Sequence, residues 1–296
     1  MVTGKHDAAA RGRVALIAGN GRIPVYVAGR LKQFGRNPFV IAVRGEADPE
    51  LFGYEHDVID TAEIGVLASI LKRVRPAEVV MVGGIRARPD LRRLRPDWTT
   101  IKLAAYLLPR LRAGDDMILR GLIRTIENAG FPVRGVHELV PDLLAGPGHI
   151  AGPKPTRADR EAIAVAVRGA QALGILDTGQ ASVAIGRRIV ALEAAEGTDL
   201  MLKRVAELRE IGRLGSGRNG VLVKLAKPGQ ELRADLPTIG EATVENAAKA
   251  GLRGIAVHAE NALISDFEAT CERARERGLF LIGIDPDSLP DGEGAQ

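Results

Sequence analysis

Val14-Ala-Leu-Ile-Ala18-Gly-Asn-Gly-Arg-Ile-Pro24 is the stretch that decides the fold class. Its first five residues form an apolar run that ends at Gly19, which is typical of a buried β-strand. The loop Gly19-Asn20-Gly21 follows, and Pro24 suits the first turn of a helix, which we predict over residues 24–33. A strand, a tight loop and a helix in this order indicate a βα unit of a parallel sheet.

The alternation of strands and helices continues along the chain. Further strands are predicted at residues 39–43, 78–82, 131–136, 181–185, 189–192, 221–225, 254–258 and 279–284. Further helices are predicted at residues 62–74, 101–111, 116–128, 156–173, 198–211, 240–250 and 265–277. We therefore predict an α/β fold of two domains, an N-terminal Rossmann-like parallel sheet and a C-terminal α/β domain.

Proline and glycine are concentrated between these two halves. Seven of them lie within residues 141–155, which we predict to be a linker. On this basis we expect a disordered lead-in at 1–12, the Rossmann-like domain at 13–140, the C-terminal domain at 156–285 and a loose acidic tail at 286–296. A length of 296 residues suits two domains.

Composition excludes several classes of protein. Aromatic residues make up only 3% of the chain, so a base-stacking surface for nucleic acid is not expected. Its single cysteine, Cys271, allows no intrachain disulfide, fits a reducing compartment and is predicted to be a small buried apolar residue. There is neither a long uncharged apolar run nor a signal-peptide pattern, so we expect a cytoplasmic protein without a spanning helix.

Two glycine-bearing loops follow predicted strands of the N-terminal half. They are Gly19-Asn20-Gly21 and Gly83-Gly84, and both fall at the carboxyl edge of the sheet, where α/β proteins bind ligands. Glycine lets the backbone approach a phosphate, so a nucleotide or diphosphate site is predicted. Pro24 takes the place of a third glycine, and Arg44 lies where a carboxylate is common in NAD-binding proteins. A tight turn without a ligand and an NADP-dependent oxidoreductase remain alternatives, and Arg86, Arg88 and Arg92 are either phosphate partners or surface residues.

The densest group of charges lies in the C-terminal half. Lys224, Lys227, Glu231, Arg233 and Asp235 fall within twelve residues shaped by proline and glycine. Cations offset phosphate charge, and a carboxylate can bind Mg²⁺ or orient water, so this mixture favours diphosphate chemistry over an ion-paired surface loop.

Several short motifs add to this group. They are His137-Glu138-Leu139 with Pro141-Asp142-Leu143-Leu144, Asp177-Thr178-Gly179-Gln180, Glu196-Gly197-Thr198-Asp199, Met201-Leu202-Lys203-Arg204 and Lys227-Pro228-Gly229-Gln230 through Asp235-Leu236-Pro237. In this order and spacing the chain resembles the UDP-2,3-diacylglucosamine pyrophosphatase family of lipid A biosynthesis, the type that lacks a calcineurin-like fold. The resemblance covers the chain from Ile17 to Ile284.

The resemblance implies Mg²⁺-dependent hydrolysis of UDP-2,3-diacylglucosamine to UMP and 2,3-diacylglucosamine 1-phosphate by a homodimer with its catalytic residue in the C-terminal domain. It makes Asp235 the catalytic aspartate, and it finds Glu231 where an aspartate is expected. We expect the metal ligands to be Asp235, Asp199 and Glu231. We expect the substrate contacts to be Gly19, Asn20, Gly21, Gly83, Gly84, Gln180, Thr198, Arg204, Lys224 and Arg233.

A diacylated substrate implies transient contact with the cytoplasmic face of the inner membrane, and a net charge of +4 suits an anionic lipid surface. The non-catalytic alternative is a protein that binds a nucleotide sugar or lipid without turning it over.

Overall fold

The computed structural model describes residues 12–61, 63–85 and 115–288. They form two compact units. The first holds the described residues up to Asp142 together with Glu231–Asp235, and the second holds Leu143–Gln230 and the described residues from Leu236 onward. The predicted helix at 101–111, the three arginines at 86, 88 and 92, the lead-in at 1–11 and the tail from 289 lie outside the described residues.

The first unit is built on a parallel sheet. Its described elements are β1 (Val14–Ala18), α1 (Ile23–Gln33), β2 (Phe39–Val43), β3 (His56–Ile59), α2 (Ile64–Val74), β4 (Glu78–Val82), α3 (Asp115–Asn128), β5 (Val133–Arg134) and α4 (Val136–Leu139). The strand order is β3-β2-β1-β4-β5, and every neighbouring pair is parallel. This order is that of the Rossmann fold, so the predicted Rossmann-like sheet is confirmed.

The core of the first unit is aliphatic. All five residues of β1 and of β2 are buried, because helices cover a parallel sheet on both faces. The predicted apolar stripe of α2 packs here through Leu67, Ile70 and Leu71, and α3 contributes Ile123 and Ile126.

The second unit contains a mixed sheet. Its described elements are β6 (Gly148–Ala151), α5 (Arg157–Ile175), β7 (Ala181–Ile185), β8 (Arg188–Leu192), α6 (Gly197–Glu210), β9 (Val221–Lys224), β10 (Thr238–Ile239), α7 (Glu241–Lys249), β11 (Gly254–His258), β12 (Leu263–Ile264), α8 (Phe267–Glu276) and β13 (Phe280–Ile284). The strand order is β6-β13-β11-β9-β7-β8, with the central three strands parallel and the outer ones antiparallel. A separate two-stranded sheet pairs β10 with β12.

Apolar layers cover both faces of this sheet. One face packs against α5, and the other packs against residues of α6, α7 and α8, such as Met201, Val244 and Cys271. Cys271 is 2% exposed and burial raises the pKa of its thiol, which confirms that it is a buried apolar residue.

The start of α5 is fixed by a capping box. Thr156 Oγ1 accepts a hydrogen bond from the Asp159 N–H at 3.3 Å, and Asp159 accepts one from the Thr156 N–H at 2.8 Å. Arg253 Nε also donates to Asp159, which is 4% exposed. Burial raises the pKa of Asp159, but the hydrogen bonds from Thr156 and Arg253 outweigh it and hold the pKa below its ordinary value.

Some elements differ from the sequence prediction. The strand expected at 131–136 is only Val133–Arg134, and Gly135 then caps the short α4. The structure adds four short strands, β3, β6, β10 and β12, of which β6 lies within the residues predicted as a linker. In the part of the chain that the structure describes, no helix is long and apolar enough to cross a membrane.

Candidate active site

The two glycine-bearing loops of the first unit lie side by side at the carboxyl ends of β1 and β4. The Gly19 N–H donates to the Val82 carbonyl, and the Asn20 N–H donates to the Gly84 carbonyl, both at 2.8 Å. These bonds form a small antiparallel bridge between Asn20 and Gly84. The structure thus brings together the five loop residues that the sequence proposed as substrate contacts.

Two of the glycines are required by this packing. A Cβ atom on Gly19 would lie 2.3 Å from the Gly84 carbonyl oxygen, and one on Gly83, at φ +92°, would lie 2.6 Å from the Asn20 carbonyl oxygen. Gly21 is different, because it has φ +96° and no atom near the position of a Cβ. Gly21, Gly83 and Gly84 are exposed, so their backbone is accessible to a ligand.

Carboxylates surround the first of these loops. Asn20 Nδ2 donates to Glu46 Oε2 at 3.1 Å, and Arg22 pairs with Asp48 and Glu50 at 3.1 and 2.5 Å. Glu46 could not be recognised from the sequence, because its contact with Asn20 joins residues 26 positions apart. Elsewhere in this unit Arg44 Nε pairs with Asp60 at 3.2 Å. The arginine that suggested an NADP-dependent oxidoreductase therefore has a carboxylate partner within the protein.

In the second unit, a buried carboxylate joins two of the proposed substrate contacts. Glu193, 7% exposed, accepts a hydrogen bond from the Thr198 hydroxyl at 2.8 Å and another from the Gln180 N–H at 3.1 Å. The Gln180 backbone carbonyl accepts from Leu225 N–H at 2.9 Å. Glu193 therefore holds both residues in place. It could not be recognised from the sequence, because a single carboxylate after a predicted strand does not form a motif.

Asp199 and Arg204, on α6, both contact other residues. Asp199 Oδ1 accepts a hydrogen bond from Asn246 Nδ2 of α7 at 3.0 Å. Arg204 Nη2 donates to the Leu192 carbonyl at 3.0 Å and pairs with Glu196 at 2.8 Å. Arg204 therefore connects α6 to the end of β8. If it also contacts a phosphate, it has both a structural role and a binding role.

Lysines fix the loop after β9. Lys224 Nζ donates to the Thr238 carbonyl at 3.0 Å, and Lys227 Nζ pairs with Asp177 at 2.8 Å. The Lys227 N–H also donates to Gln230 Oε1 at 2.8 Å, which closes a turn. The motifs around Asp177 and Lys227, which are 50 residues apart in sequence, are therefore in contact.

The remaining predicted residues lie on Glu231–Asp235, the segment that belongs to the first unit. Arg233 donates to both carboxylate oxygens of Glu231, from Nε at 2.8 Å and from Nη2 at 3.0 Å, and Nη1 pairs with Glu127 of α3 at 2.8 Å. These bonds from Arg233 lower the pKa of Glu231, and Arg120 of α3 lowers it further. Asp235 is half-buried, and its N–H donates to the Glu231 carbonyl at 3.0 Å.

The three predicted metal ligands are divided between the units. Asp235 and Glu231 belong to the first and Asp199 to the second. Within residues 12–61, 63–85 and 115–288, no three His, Cys, Asp or Glu side chains form a group that could hold a metal. Mg²⁺ is commonly held by one or two carboxylates together with substrate phosphate oxygens, so the half-buried Asp235 could supply one carboxylate ligand to an ion bound with substrate. Glu231 would have to exchange its bonds from Arg233 to do the same.

Comparison with known proteins also divides the chain into two domains, with residues 231–235 inside the second. Residues 13–143 match the family model of the LpxI N-terminal domain, and residues 146–282 match that of the LpxI C-terminal domain. UDP-2,3-diacylglucosamine pyrophosphatase LpxI of Caulobacter vibrioides is 39% identical over 279 residues, which cover 94% of this chain and 99% of that protein. The chain belongs to the LpxI family.

Proposed function

We propose that the protein is a UDP-2,3-diacylglucosamine pyrophosphatase of lipid A biosynthesis that yields UMP and 2,3-diacylglucosamine 1-phosphate. The observation that carries this proposal is the 39% identity to a protein of that name over nearly its whole length. The two paired glycine loops and the cationic loop after β9 are the kinds of site that bind phosphate. The family membership favours this hydrolase over the NADP-dependent oxidoreductase.

The proposed reaction hydrolyses the phosphoanhydride bond between the two phosphates, which gives two phosphate monoesters. One P–O bond forms to the water oxygen, and the bridging P–O bond of the diphosphate breaks, so that the bridging oxygen departs with the leaving phosphate monoester. The proton lost by the water passes to a general base and from there to solvent. We assign Asp235 to orient this water and accept its proton. Lys224 lies at the carboxyl end of β9 and offsets the charge of the diphosphate, while Gln180 and Thr198, both held by Glu193, contact the nucleotide sugar.

Mg²⁺ is part of the same proposal. When bound, it would neutralise charge on the phosphate oxygens. Asp235 is the carboxylate that we assign to it, as the resemblance to the family implies. Both Glu231 oxygens accept from Arg233, and Asp199 Oδ1 accepts from Asn246. Glu231 and Asp199 remain the candidates for a second ligand, and either would have to exchange its present partner for the ion.

The test is release of UMP from UDP-2,3-diacylglucosamine by purified protein, with Mg²⁺ and with chelator. We expect Mg²⁺-dependent UMP from the wild type and a loss of about 100-fold or more in Asp235→Asn, which keeps the shape of the side chain but not its charge. Asp287→Asn, at an exposed aspartate, is the matched control and should turn over normally. Substrate binding without UMP release would instead favour the non-catalytic binding protein.

We also propose transient contact with an anionic lipid surface on the cytoplasmic side of the inner membrane. Ile175 and Leu176 at the end of α5 are 76% and 73% exposed, and Arg168 lies two turns earlier on the face of Ile175. Cosedimentation with anionic vesicles should fall in the Ile175→Ser/Leu176→Ser double variant. Equal sedimentation of the wild type and this variant would contradict the assignment of this surface.

A homodimer, which the sequence resemblance implies, is part of the proposal too. β8 forms one edge of its sheet, and Ile189 and Leu192 on it are 38% and 39% exposed. Light scattering on the purified protein should give twice the chain mass of 31.5 kDa, and a value of one chain mass would exclude the dimer.

A further inference from the structure

The segment Glu231–Asp235 lies in the C-terminal half of the sequence but belongs to the first unit. The residues before it, up to Gln230, and after it, from Leu236, belong to the second unit, whereas the segment itself belongs to the first. It carries Asp235, so the contacts that hold the segment to the first unit decide where this carboxylate lies.

Among the described residues, two contacts hold the segment to the first unit, and two hydrogen bonds within the segment fix its shape. Ala234 packs against the aliphatic core of the first unit. The Ala234 and Asp235 N–H groups donate to the Glu231 carbonyl at 3.1 and 3.0 Å, which makes the segment a compact turn. Arg233 pairs with Glu127 of α3 at 2.8 Å.

Glu231 orients the arginine for this last contact. Its two oxygens accept from Nε and Nη2 of Arg233, which is the planar, bidentate arrangement that suits a guanidinium. The remaining nitrogen, Nη1, then meets Glu127 Oε1. The Glu231 side chain is only 12% exposed, so this pairing is largely shielded from water, while the Arg233 and Glu127 side chains are 33% and 37% exposed.

We propose that Glu127 is a positioning residue for hydrolysis, which acts through Arg233 to hold the Asp235 turn against α3. Arg233 then serves as the connecting cation between two carboxylates rather than as a phosphate partner. This inference rests on the proposed function only for its effect on turnover, because the anchoring of the turn is a property of the protein alone.

The experiment compares Glu127→Lys, Glu127→Gln and Glu127→Asp with the wild type in the full-length protein. Glu127→Lys places a cation against Arg233, whereas Glu127→Asp keeps the charge on a shorter arm. Glu161→Lys is the matched control, because Glu161 also forms an exposed ion pair with an arginine, Arg157 of α5, and lies in the other unit. Two quantities are measured, the hydrogen exchange rates of the Ala234 and Asp235 amides and the separate values of kcat and KM.

We expect exchange at both amides to be about fivefold faster in Glu127→Lys and about twofold faster in Glu127→Gln, which is the scale of a partly exposed ion pair. The value of kcat should fall about tenfold in Glu127→Lys with KM within twofold, since misplacing a reacting group lowers turnover. Glu127→Asp should restore most of kcat, and Glu161→Lys should match the wild type in both measurements.

Each contrary result has a separate meaning. Unchanged exchange in Glu127→Lys would overturn the anchor. Faster exchange with unchanged kcat would overturn the positioning role. Absence of turnover in the wild type would count against the proposed function, and the exchange rates would still decide whether Glu127 holds the turn.

Discussion

Replacing Glu193 tests whether a buried carboxylate supports the nucleotide-sugar contacts. Glu193→Ala removes the acceptors of the Thr198 hydroxyl and the Gln180 N–H, and Thr198 is only 9% exposed. A hydrogen bond to a charged group contributes about 1.5–3 kcal/mol. Two such bonds are lost, and water that enters the vacated space offsets part of this loss. We therefore expect the free energy of unfolding to fall by about 3 kcal/mol, as measured by urea denaturation.

Glu193→Gln separates the hydrogen bonds from the size of the side chain. Its amide oxygen can accept from the Gln180 N–H, and the Thr198 hydroxyl can rotate to accept from its NH₂ group, so we expect a loss of about 1 kcal/mol. Glu196→Ala breaks an exposed ion pair nearby and should cost about 1 kcal/mol or less. Because Gln180 and Thr198 are proposed substrate contacts, Glu193→Ala should also raise KM. A loss below 1 kcal/mol in Glu193→Ala would refute the reasoning.

Three further predictions concern the loops, a cap and the cysteine. Gly83→Ala should lower the free energy of unfolding by about 2–3 kcal/mol, because its Cβ would clash with the Asn20 carbonyl. Gly21→Ala has open space around its Cβ and should lower it by about 1 kcal/mol. Urea denaturation measures both, and equal losses would contradict the difference in packing. The folded-state pKa of Asp159 is lowered, so its stabilising contribution is complete above the unfolded pKa of about 4 and is lost as the pH falls through the lower folded value. The difference in stability between the wild type and Asp159→Asn should accordingly shrink below about pH 4, and a constant difference from pH 7 to pH 3 would argue against the linkage. Cys271 should react with a thiol reagent only on unfolding, because it is buried and its thiol pKa is raised, and rapid labelling of the native protein would show otherwise.

Long periodic elements could be predicted from the sequence because their signal is local. The strands at Val14–Ala18 and Phe39–Val43 are wholly buried, so each is an uninterrupted apolar run. The strand His56–Ile59 has only one buried residue, and Gly148–Ala151 pairs as an edge strand among glycines and prolines, so neither carries such a pattern. Their partners, Phe39–Val43 and Phe280–Ile284, supply the pairing that the sequence does not display.

The candidate site divides in the same way. Glycine at residues 19 and 83 could be recognised, since a loop after a buried strand at the carboxyl edge is a local feature. The partners of Asn20 and Arg233 could not, because Glu46 and Glu127 lie 26 and 106 residues away in sequence. The assignment of Glu231–Asp235 to the first unit likewise depends on tertiary contacts, namely the packing of Ala234 and the ion pair with Glu127. Nothing in the spacing of the loop residues indicates it.

The position of residues 231–235 has a consequence for how the gene can be recombined. The first unit is discontinuous in sequence, so a chimera joined near residue 143 from two homologues would place the Glu231–Asp235 turn of one parent on the α3 helix of the other. Glu127 and Arg233 would then come from different parents, and a mismatch of charge at either position would weaken the contact that joins them. A functional exchange of halves would have to carry residues 231–235 with the N-terminal parent.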